Sequence, residues 1–306
     1  MNDPVEADMN HIIHITGNIV IYTSLAGIVL LFLECIWYAF PRKVKNTCPS
    51  KRIALITGAS GGLGRQYACL ADRKLKDIDE IWLVGRRISR LNETAGLLTH
   101  PAKCLQMDLT ETAEISGLKA VFAEGNISVR CLINCAGFGT VGSSSDISIY
   151  TQAKMINLNC IAPAALANVC IPFMHPGSLL VNICSTAGFQ PLQYLNTYAS
   201  SKTFLLRYTR ALRRELLPKQ IRVSAVCPYW IKDTGFIAAA TAGGESGIKD
   251  FPLSSNVKSV SRFSFFWMKI GLPVITPGII CSLHRMFSKL IPDTVLVYIW
   301  DVIRHI

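Results

Sequence analysis

The chain is short of acids. Its 20 Asp and Glu stand against 31 Lys and Arg, which leaves a net charge of +11. Such an excess draws anions: nucleic acid, an anionic membrane face or an anionic cofactor. The modules that read nucleic acid are missing, with no basic run interleaved by aromatics and no zinc-finger spacing, so no nucleic-acid partner is expected. Pairs of the form C-x-x-C are missing too. The 11 cysteines are scattered and odd in number, which argues against a disulfide framework and for a reducing compartment. Cys184 in "VNIC" and Cys227 in "AVCP" sit in apolar runs, where a thiol behaves as a small hydrophobe. No metal is expected: His11 and His14 have a usable spacing but lie in a tail without partners. Internal repeats and low-complexity segments are absent.

What is present begins with an apolar run. The chain of 306 residues suits one large domain or two small ones, and its mean hydropathy of +0.34 is high for a soluble enzyme. After a tail over residues 1–14, residues 15–40 ("ITGNIVIYTSLAGIVLLFLECIWYAF") read as a transmembrane anchor. As a helix this segment is roughly 36–39 Å long, enough for an apolar bilayer core of about 30 Å. Trp37 and Tyr38 fall where an aromatic belt would lie, and Glu34 sits near one end, within reach of the interface. A cleaved signal peptide would want a basic leader, whereas Asp3, Glu6 and Asp8 make this one acidic. Residues 41–50 form a basic linker, and Arg42, Lys43 and Lys45 place the rest of the chain in the cytoplasm by the positive-inside rule. The membrane is then the endoplasmic reticulum in a eukaryote or the cell membrane in a bacterium. A buried or membrane-surface helix is the alternative to a span.

Past the linker, "RIALIT" reads as a buried strand running into "GASGGLG". Gly58, Gly62 and Gly64, with Ser60, Gly61 and Leu63 between them, predict a tight turn that a pyrophosphate can approach. Following a strand and opening a helix, this turn points to a dinucleotide site. No Gly-Lys-Ser/Thr ends it, which excludes a P-loop. The next strand, "EIWLV", ends in Gly85, Arg86 and Arg87 rather than in the acid that suits NAD. Guanidinium forks fit a 2′-phosphate, so NADPH/NADP+ is expected over NADH. The alternative leaves the two arginines merely facing solvent.

A third strand ends at Asp108 and Leu109, against the adenine, and a fourth ends in Asn134, Cys135, Ala136 and Gly137, a turn against the cofactor. "GSLLVNICS" and "IRVSAVCP" supply a fifth and a sixth. The alternation predicts an α/β fold: a Rossmann-type doubly wound parallel sheet with helices on both faces, preceded by the N-terminal transmembrane helix. Tyr198 and Lys202 stand four apart on one helix face, where an ammonium is expected to lower the phenol's pKa from about 10. Such a tyrosine can exchange a proton with a substrate. An ordinary helix surface is the bland alternative for Y-x-x-x-K alone.

Seven pieces, "TGASGGLG", "DLT", "NCAG", "NLNCIAP", "ICSTAG", "YASSK" and "VCPYWIKDT", occur in one order and at one set of spacings. In these the chain resembles the short-chain dehydrogenase/reductase family from about residue 51 to 236, and most of all its membrane-anchored hydroxysteroid dehydrogenase and 3-ketoacyl reductase members. The resemblance implies Tyr198 as general acid and base, and Lys202 as the group that lowers its pKa and binds the nicotinamide ribose. It implies Ser185 as the hydrogen-bond donor to the substrate oxygen, and Asn159 (with Asn157 the other register) as the holder of a water leading to Lys202. Pro228, Ile231 and Thr234 are implied on the cofactor's nicotinamide side. Two departures stand out: Cys135 replaces the family's second asparagine, and Tyr229 replaces a glycine, adding bulk beside the nicotinamide end.

Residues 51–236 are therefore read as the Rossmann dinucleotide-binding catalytic domain, and 237–306 as a substrate lid and C-terminal helices. Phe263, Phe265, Phe266 and Trp267, edged by Lys258, Arg262 and Lys269, suit a membrane interface, a wall of an apolar pocket, or simple core packing. The last helix offers its apolar side to the membrane, the domain or another subunit. The partners expected are a lipophilic small molecule, the membrane and a second copy in a homodimer. The function expected is hydride transfer between NADP(H) and a lipophilic ketone or secondary alcohol, steroid or fatty-acyl in kind, with retinoids and sphingoid ketones as alternatives. A non-catalytic NADP(H)-binding regulatory protein and a structural membrane adaptor are the readings from other classes.

Overall fold

A computed structural model of the chain describes residues 25–40, 50–241 and 254–304. The tail with His11 and His14, the first part of the expected anchor and most of the basic linker lie outside the described residues. The chain divides into two compact units, Met1–Pro41 and Arg42–Ile306. The described part of the first is one apolar helix, α1 (Leu25–Ala39). Leu25, Ile28, Val29, Leu30, Phe32 and Leu33 are all exposed on it. At about 1.5 Å per residue it reaches roughly 22 Å, less than a bilayer core.

The second unit is built on a seven-stranded sheet in the order β3-β2-β1-β4-β5-β6-β7. The strands are β1 (Lys51–Thr57), β2 (Glu80–Gly85), β3 (Ala102–Gln106), β4 (Ile127–Asn134), β5 (Leu179–Ile183), β6 (Arg222–Val226) and β7 (Val274–Ile275). All neighbours run parallel. Parallel strands are covered on both faces, so they read as unbroken apolar runs, and the side chains of one run divide between two cores. In β1, Ala54 and Ile56 join one core while Ile53 and Leu55 join the other. The first core is closed by α2 (Gly62–Lys74) and α9 (Val257–Ile270). The second is closed by α4 (Thr112–Glu124), α6 (Ala162–Cys170) and the end of α7 (Asn196–Leu216). The strand order reverses between β1 and β4, and a doubly wound sheet opens its ligand crevice at such a point.

The sheet domain draws on residues beyond 236. Phe265 and Met268 of α9 are buried in the first core, and the Tyr67 hydroxyl of α2 meets Ser264 Oγ at 2.6 Å. Beyond α9, β7 pairs with β6 and extends the sheet. Half of the aromatic cluster is thus core, while Phe263 and Phe266 remain exposed. Helix α9 and β7 of the expected lid segment are thus parts of the sheet domain, packed on its core or paired in its sheet. Residues 242–253, the rest of the expected lid, lie outside the described residues. Residues Ile149–Phe173 form a helix long and apolar enough to cross a membrane. Its Ala162, Leu166, Ala167 and Cys170 are core residues of the sheet, which makes it a domain element.

Candidate active site

The glycine turn forms because no side chain fits. Gly58 has φ +66°, and a Cβ there would lie 2.9 Å from the Ala136 nitrogen; a Cβ on Gly64 would lie 2.3 Å from the Gly58 carbonyl. Helix α2 starts without a side-chain cap and without an acid in its first turn. Its open N–H groups and dipole are therefore left for an anion. Arg65 braces the turn by donating to Ser60 O (3.4 Å) and Thr94 Oγ1 (3.0 Å) and by pairing with Glu93 (2.9 Å). The Gly61 carbonyl accepts from Arg65 N, and Leu63 is buried under the turn. A Cβ on Gly85 would lie 3.7 Å from Ser60 Oγ, so the turn touches the end of β2 where Arg86 and Arg87 stand exposed. Asp108 is held below the usual carboxylate range by hydrogen bonds from Thr110 N and Thr110 Oγ1, against the effect of burial, with Lys154 and Arg86 adding to it. Leu109 beside it is buried.

The turn after β4 is fixed by a residue that the sequence reading passed over. Thr57 Oγ1 accepts from both Cys135 N and Ala136 N, each at 3.0 Å. The Asn134 side chain is turned into the sheet. Its Nδ2 donates to Asn182 Oδ1 at 2.8 Å, and Asn182 Nδ2 donates to Thr209 Oγ1 at 2.9 Å. Buried amides need such partners, so this side chain ties β4 to β5 and α7 and does not face a cofactor. Its Oδ1 is buried without a hydrogen-bond partner. Ala136 and Gly137 are the parts of the turn that lie open.

Ser185 ends β5 as the cap of a short 3-10 turn, Thr186–Phe189, with its Oγ accepting from Ala187 N at 3.1 Å. The same side chain neighbours Tyr198 and acts to lower its phenol. Tyr198 and Lys202 are one turn apart near the start of α7, and both are buried. Lys202 Nζ lies 5.7 Å from the Tyr198 ring centre and donates to Ile183 O at 3.0 Å. Burial pushes the Tyr198 phenol well above its ordinary range, with the Ser185 side chain opposing, and burial lowers Lys202. The expectation that Lys202 would lower the phenol is corrected. A cation already drawn to a backbone carbonyl does not outweigh the loss of solvent around the ring.

Asn159 sits in a π-helical turn, Asn157–Ile161, between α5 (Ile149–Ile156) and α6. Its Oδ1 accepts from Phe138 N (3.2 Å), and its Nδ2 donates to Phe138 O (2.9 Å) and Ser201 Oγ (3.0 Å). A Cβ on Gly137 would meet Asn159 Oδ1 at 2.9 Å and Lys202 Nζ at 3.3 Å, so both groups face one point over that glycine. Asn157 forms no part of this arrangement.

Around the phenol stands an apolar wall. Phe236 lies 5.5 Å from the Tyr198 ring and 6.2 Å from Trp230, and Met155, Leu192, Leu195 and Trp300 complete the cluster. A Cβ on Gly139 would come within 2.8 Å of the Tyr198 ring. Trp230 also adds bulk here, packed against Phe236. Pro228 O accepts from Thr186 N, and Thr234 Oγ1 donates to Ile231 O. Thr234 also reaches the glycine turn, its Cγ2 being 3.3 Å from where a Gly62 Cβ would be. A cleft of about 800 Å³ opens beside Ala199, Thr203 and Arg207 of α7, and Ser185, Tyr198 and Lys202 take no part in it. Its volume therefore does not measure the catalytic site.

These features, a glycine turn at the switch point and a buried Ser-Tyr-Lys group at the neighbouring strand end, define a nucleotide-binding oxidoreductase. The short chain dehydrogenase family model matches residues 52–243, and the chain belongs to that family. The very-long-chain 3-oxoacyl-CoA reductase of Anas platyrhynchos is 30% identical over 189 residues, which cover 58% of this chain and 59% of that protein. A short-chain dehydrogenase from Sphingobium yanoikuyae in complex with NADPH aligns with a TM-score of 0.64 at 26% identity, over 78% of this chain and 94% of that one. A family member from Burkholderia phymatum in complex with NAD aligns with a TM-score of 0.67 at 21% identity, over 81% and 95% of the two chains.

Proposed function

We propose that the chain is an NADPH-dependent reductase of lipophilic ketones, held at a membrane by its N-terminal helix. The observation that carries this reading is the burial of Tyr198 and Lys202 one turn apart on α7, with Lys202 Nζ 5.7 Å from the phenol ring, inside an apolar wall beside Ser185. The bare glycine turn fits a pyrophosphate, and Arg86 and Arg87 with Ser60 fit a 2′-phosphate. The NADPH complex of the Sphingobium relative supports that choice. Ala136 and Gly137, held by Thr57, and Thr234 would line the nicotinamide side.

The nicotinamide, when bound, supplies the hydride. Ser185 Oγ and the Tyr198 hydroxyl would both donate to a carbonyl oxygen bound between them. The phenol, raised by burial, keeps its proton through the neutral range and is a donor to that oxygen as charge develops on it. Lys202 places a positive charge behind the phenol and stabilises the phenolate left by proton transfer. Asn159 locks Phe138 and so fixes the chain after Gly137; its Oδ1 faces Lys202 across that glycine, where the path of proton replacement would begin. The apolar wall suits a ketone in an alkyl or ring framework, and the 3-oxoacyl-CoA reductase relative favours a fatty-acyl chain over a steroid.

The membrane reading is supported by α1 and by the basic residues that follow it, which by the positive-inside rule favour a cytoplasmic catalytic unit. The test is oxidation of NADPH and of NADH by the full chain in detergent with long-chain 3-oxoacyl thioesters and steroid ketones. Turnover with NADPH and an acyl ketone is expected. Cofactor binding without turnover on any lipid ketone would leave a regulatory nucleotide-binding protein instead.

A further inference from the structure

The two last helices of the described chain, α10 (Ile279–Leu290) and α11 (Asp293–Ile303), leave large apolar side chains uncovered. An amphipathic helix on a domain puts its apolar stripe inward. Helix α10 faces the domain with Cys281, His284 and Ser288. His284 Nε2 is 2.8 Å from Gln190 Oε1 and its ring packs edge-on against Phe189, while the Cys281 thiol meets Pro277 O. Its apolar stripe, Ile279, Leu283, Met286, Phe287 and Leu290, follows the i, i+4, i+7, i+8, i+11 spacing and lies outside, with Ile279 79% and Leu290 72% exposed. Helix α11 is apolar on both sides. Leu296 and Trp300 are buried and the Trp300 indole donates to Gln193 O, whereas Val295, Tyr298, Ile299, Val302 and Ile303 are exposed. Ten large apolar side chains on consecutive helices form far more uncovered surface than scattered exposure explains.

The flank of this surface is cationic. Lys289 of α10 and Arg207 and Arg210 of α7 are exposed, and Arg285 of α10, partly buried, donates from Nη1 to Val274 O at 3.2 Å. Burial first, and then this crowding of like charge, holds Lys289 and Arg285 below their ordinary ranges. Among the described residues, none of the four forms an ion pair with an acid. Residues 279–304 contain two acids, Asp293 and Asp301, and Asp301 is paired with Arg304 at 2.7 Å. Asp293 borders the same cleft as Arg207 without forming an ion pair with it. A second copy placed symmetrically on this face would bring a like-charged flank with it, whereas an anionic lipid surface supplies both an apolar medium and the missing negative charge.

We propose that α10 and α11 dock the catalytic unit flat on an anionic bilayer, their apolar stripes at the acyl boundary and Arg207, Arg210, Arg285 and Lys289 on lipid phosphates. The contact is separate from α1: it makes the domain a peripheral guest of the membrane and sets which side of it faces lipid.

The test uses the full chain reconstituted in vesicles containing a phospholipid with a photoactivatable acyl chain, with and without about 30% phosphatidylserine, a lipid of the anionic kind. Peptides covering residues 279–290 and 295–303 should be labelled in the anionic vesicles. Labelling should fall on the order of tenfold in the double variant Leu283→Glu, Phe287→Glu, and likewise in Arg210→Glu, Lys289→Glu or when phosphatidylserine is left out. The second pair changes only surface charge, so it serves if the first pair fails to fold, as judged by NADPH binding. Unlabelled helices in anionic vesicles would overturn the proposal, as would labelling indifferent to lipid charge. A dimer in detergent that Phe287→Glu splits into monomers would assign the face to a second copy. Labelling of residues 25–39 is scored in the same experiment and reports on the membrane helix alone, so either reading can fail without the other.

Discussion

Thr57→Val removes one oxygen atom from the site and should be felt by stability and cofactor binding together. The threonine hydroxyl has two lone pairs, and the structure uses both, one for Cys135 N and one for Ala136 N at 3.0 Å each. Valine keeps the shape and accepts nothing. A buried N–H left without a partner costs about 1–3 kcal/mol. Thr57 is 1% exposed, so water does not enter on its side. Cys135 and Ala136 are only partly buried, so solvent takes up some of the loss, and the lower end of the range applies to each amide. The sum is about 2 kcal/mol, which for a domain of this size lowers the melting temperature by roughly 4–8 °C. The same two amides hold the turn against the Gly58 backbone, so the NADPH dissociation constant should rise by about tenfold or more, in line with 1.4 kcal/mol per decade. The assay is thermal unfolding in detergent beside fluorescence titration with NADPH, with Thr57→Ser as the control that restores both acceptors. If valine and serine variants melt together and bind NADPH alike, the hydroxyl does not hold this turn and the geometry argued for the site fails.

Other outcomes are expected from the same structure. Tyr198→Phe should lower the turnover of ketone reduction by about 10²–10⁴-fold while NADPH still binds, as measured by nucleotide oxidation and by titration. Because burial raises the Tyr198 phenol, reduction by the unaltered chain should show no loss assignable to that group between about pH 6 and 9; an inflection there that Tyr198→Phe abolishes would contradict it. Arg86→Asp should weaken NADPH binding by about 10–100-fold and leave NADH binding nearly unchanged, since only a 2′-phosphate needs the guanidinium. Asp72 is buried, which by itself raises its carboxyl, but hydrogen bonds from His100 and Thr99 prevail and hold it below the usual range. Its contribution to stability is therefore present above the unfolded value near pH 3.9 and is lost as pH falls through the lower folded value. In urea titrations at pH 7, Asp72→Asn should lower stability by about 1–3 kcal/mol, and the gap should close in acid.

How much of this was legible in the sequence depends on how far apart the interacting residues lie. The turn at Gly58, Gly62 and Gly64 and the group of Ser185, Tyr198 and Lys202 are local patterns, with spacing that carries the geometry. Thr57 was not legible, because its partners lie 78 and 79 positions away, and a threonine at a strand end has many uses. Asn134 was read as part of the turn against the cofactor, and the sequence did not show that its side chain is bonded to Asn182 across the sheet. The direction of the Tyr198 shift depends on solvent access, which a four-residue spacing does not reveal. Strand β7 escaped notice because two residues between prolines show no period, and only β6 makes a strand of them. The stripe on α10 has the spacing of a core-facing helix, and only the fold shows that it points away.

The late arrival of β7 has a consequence for the chain as it leaves the ribosome. Nearly fifty positions separate it from β6, so the six earlier strands and the whole Ser-Tyr-Lys group are made while one margin of the sheet is still bare. In that interval Ala225 N and Cys227 N, which later reach Pro273 O and Ile275 O, are free to pair with the wrong neighbour. A fragment cut at residue 243, where the family match ends, would stay in that condition, complete in its chemistry and prone to clump.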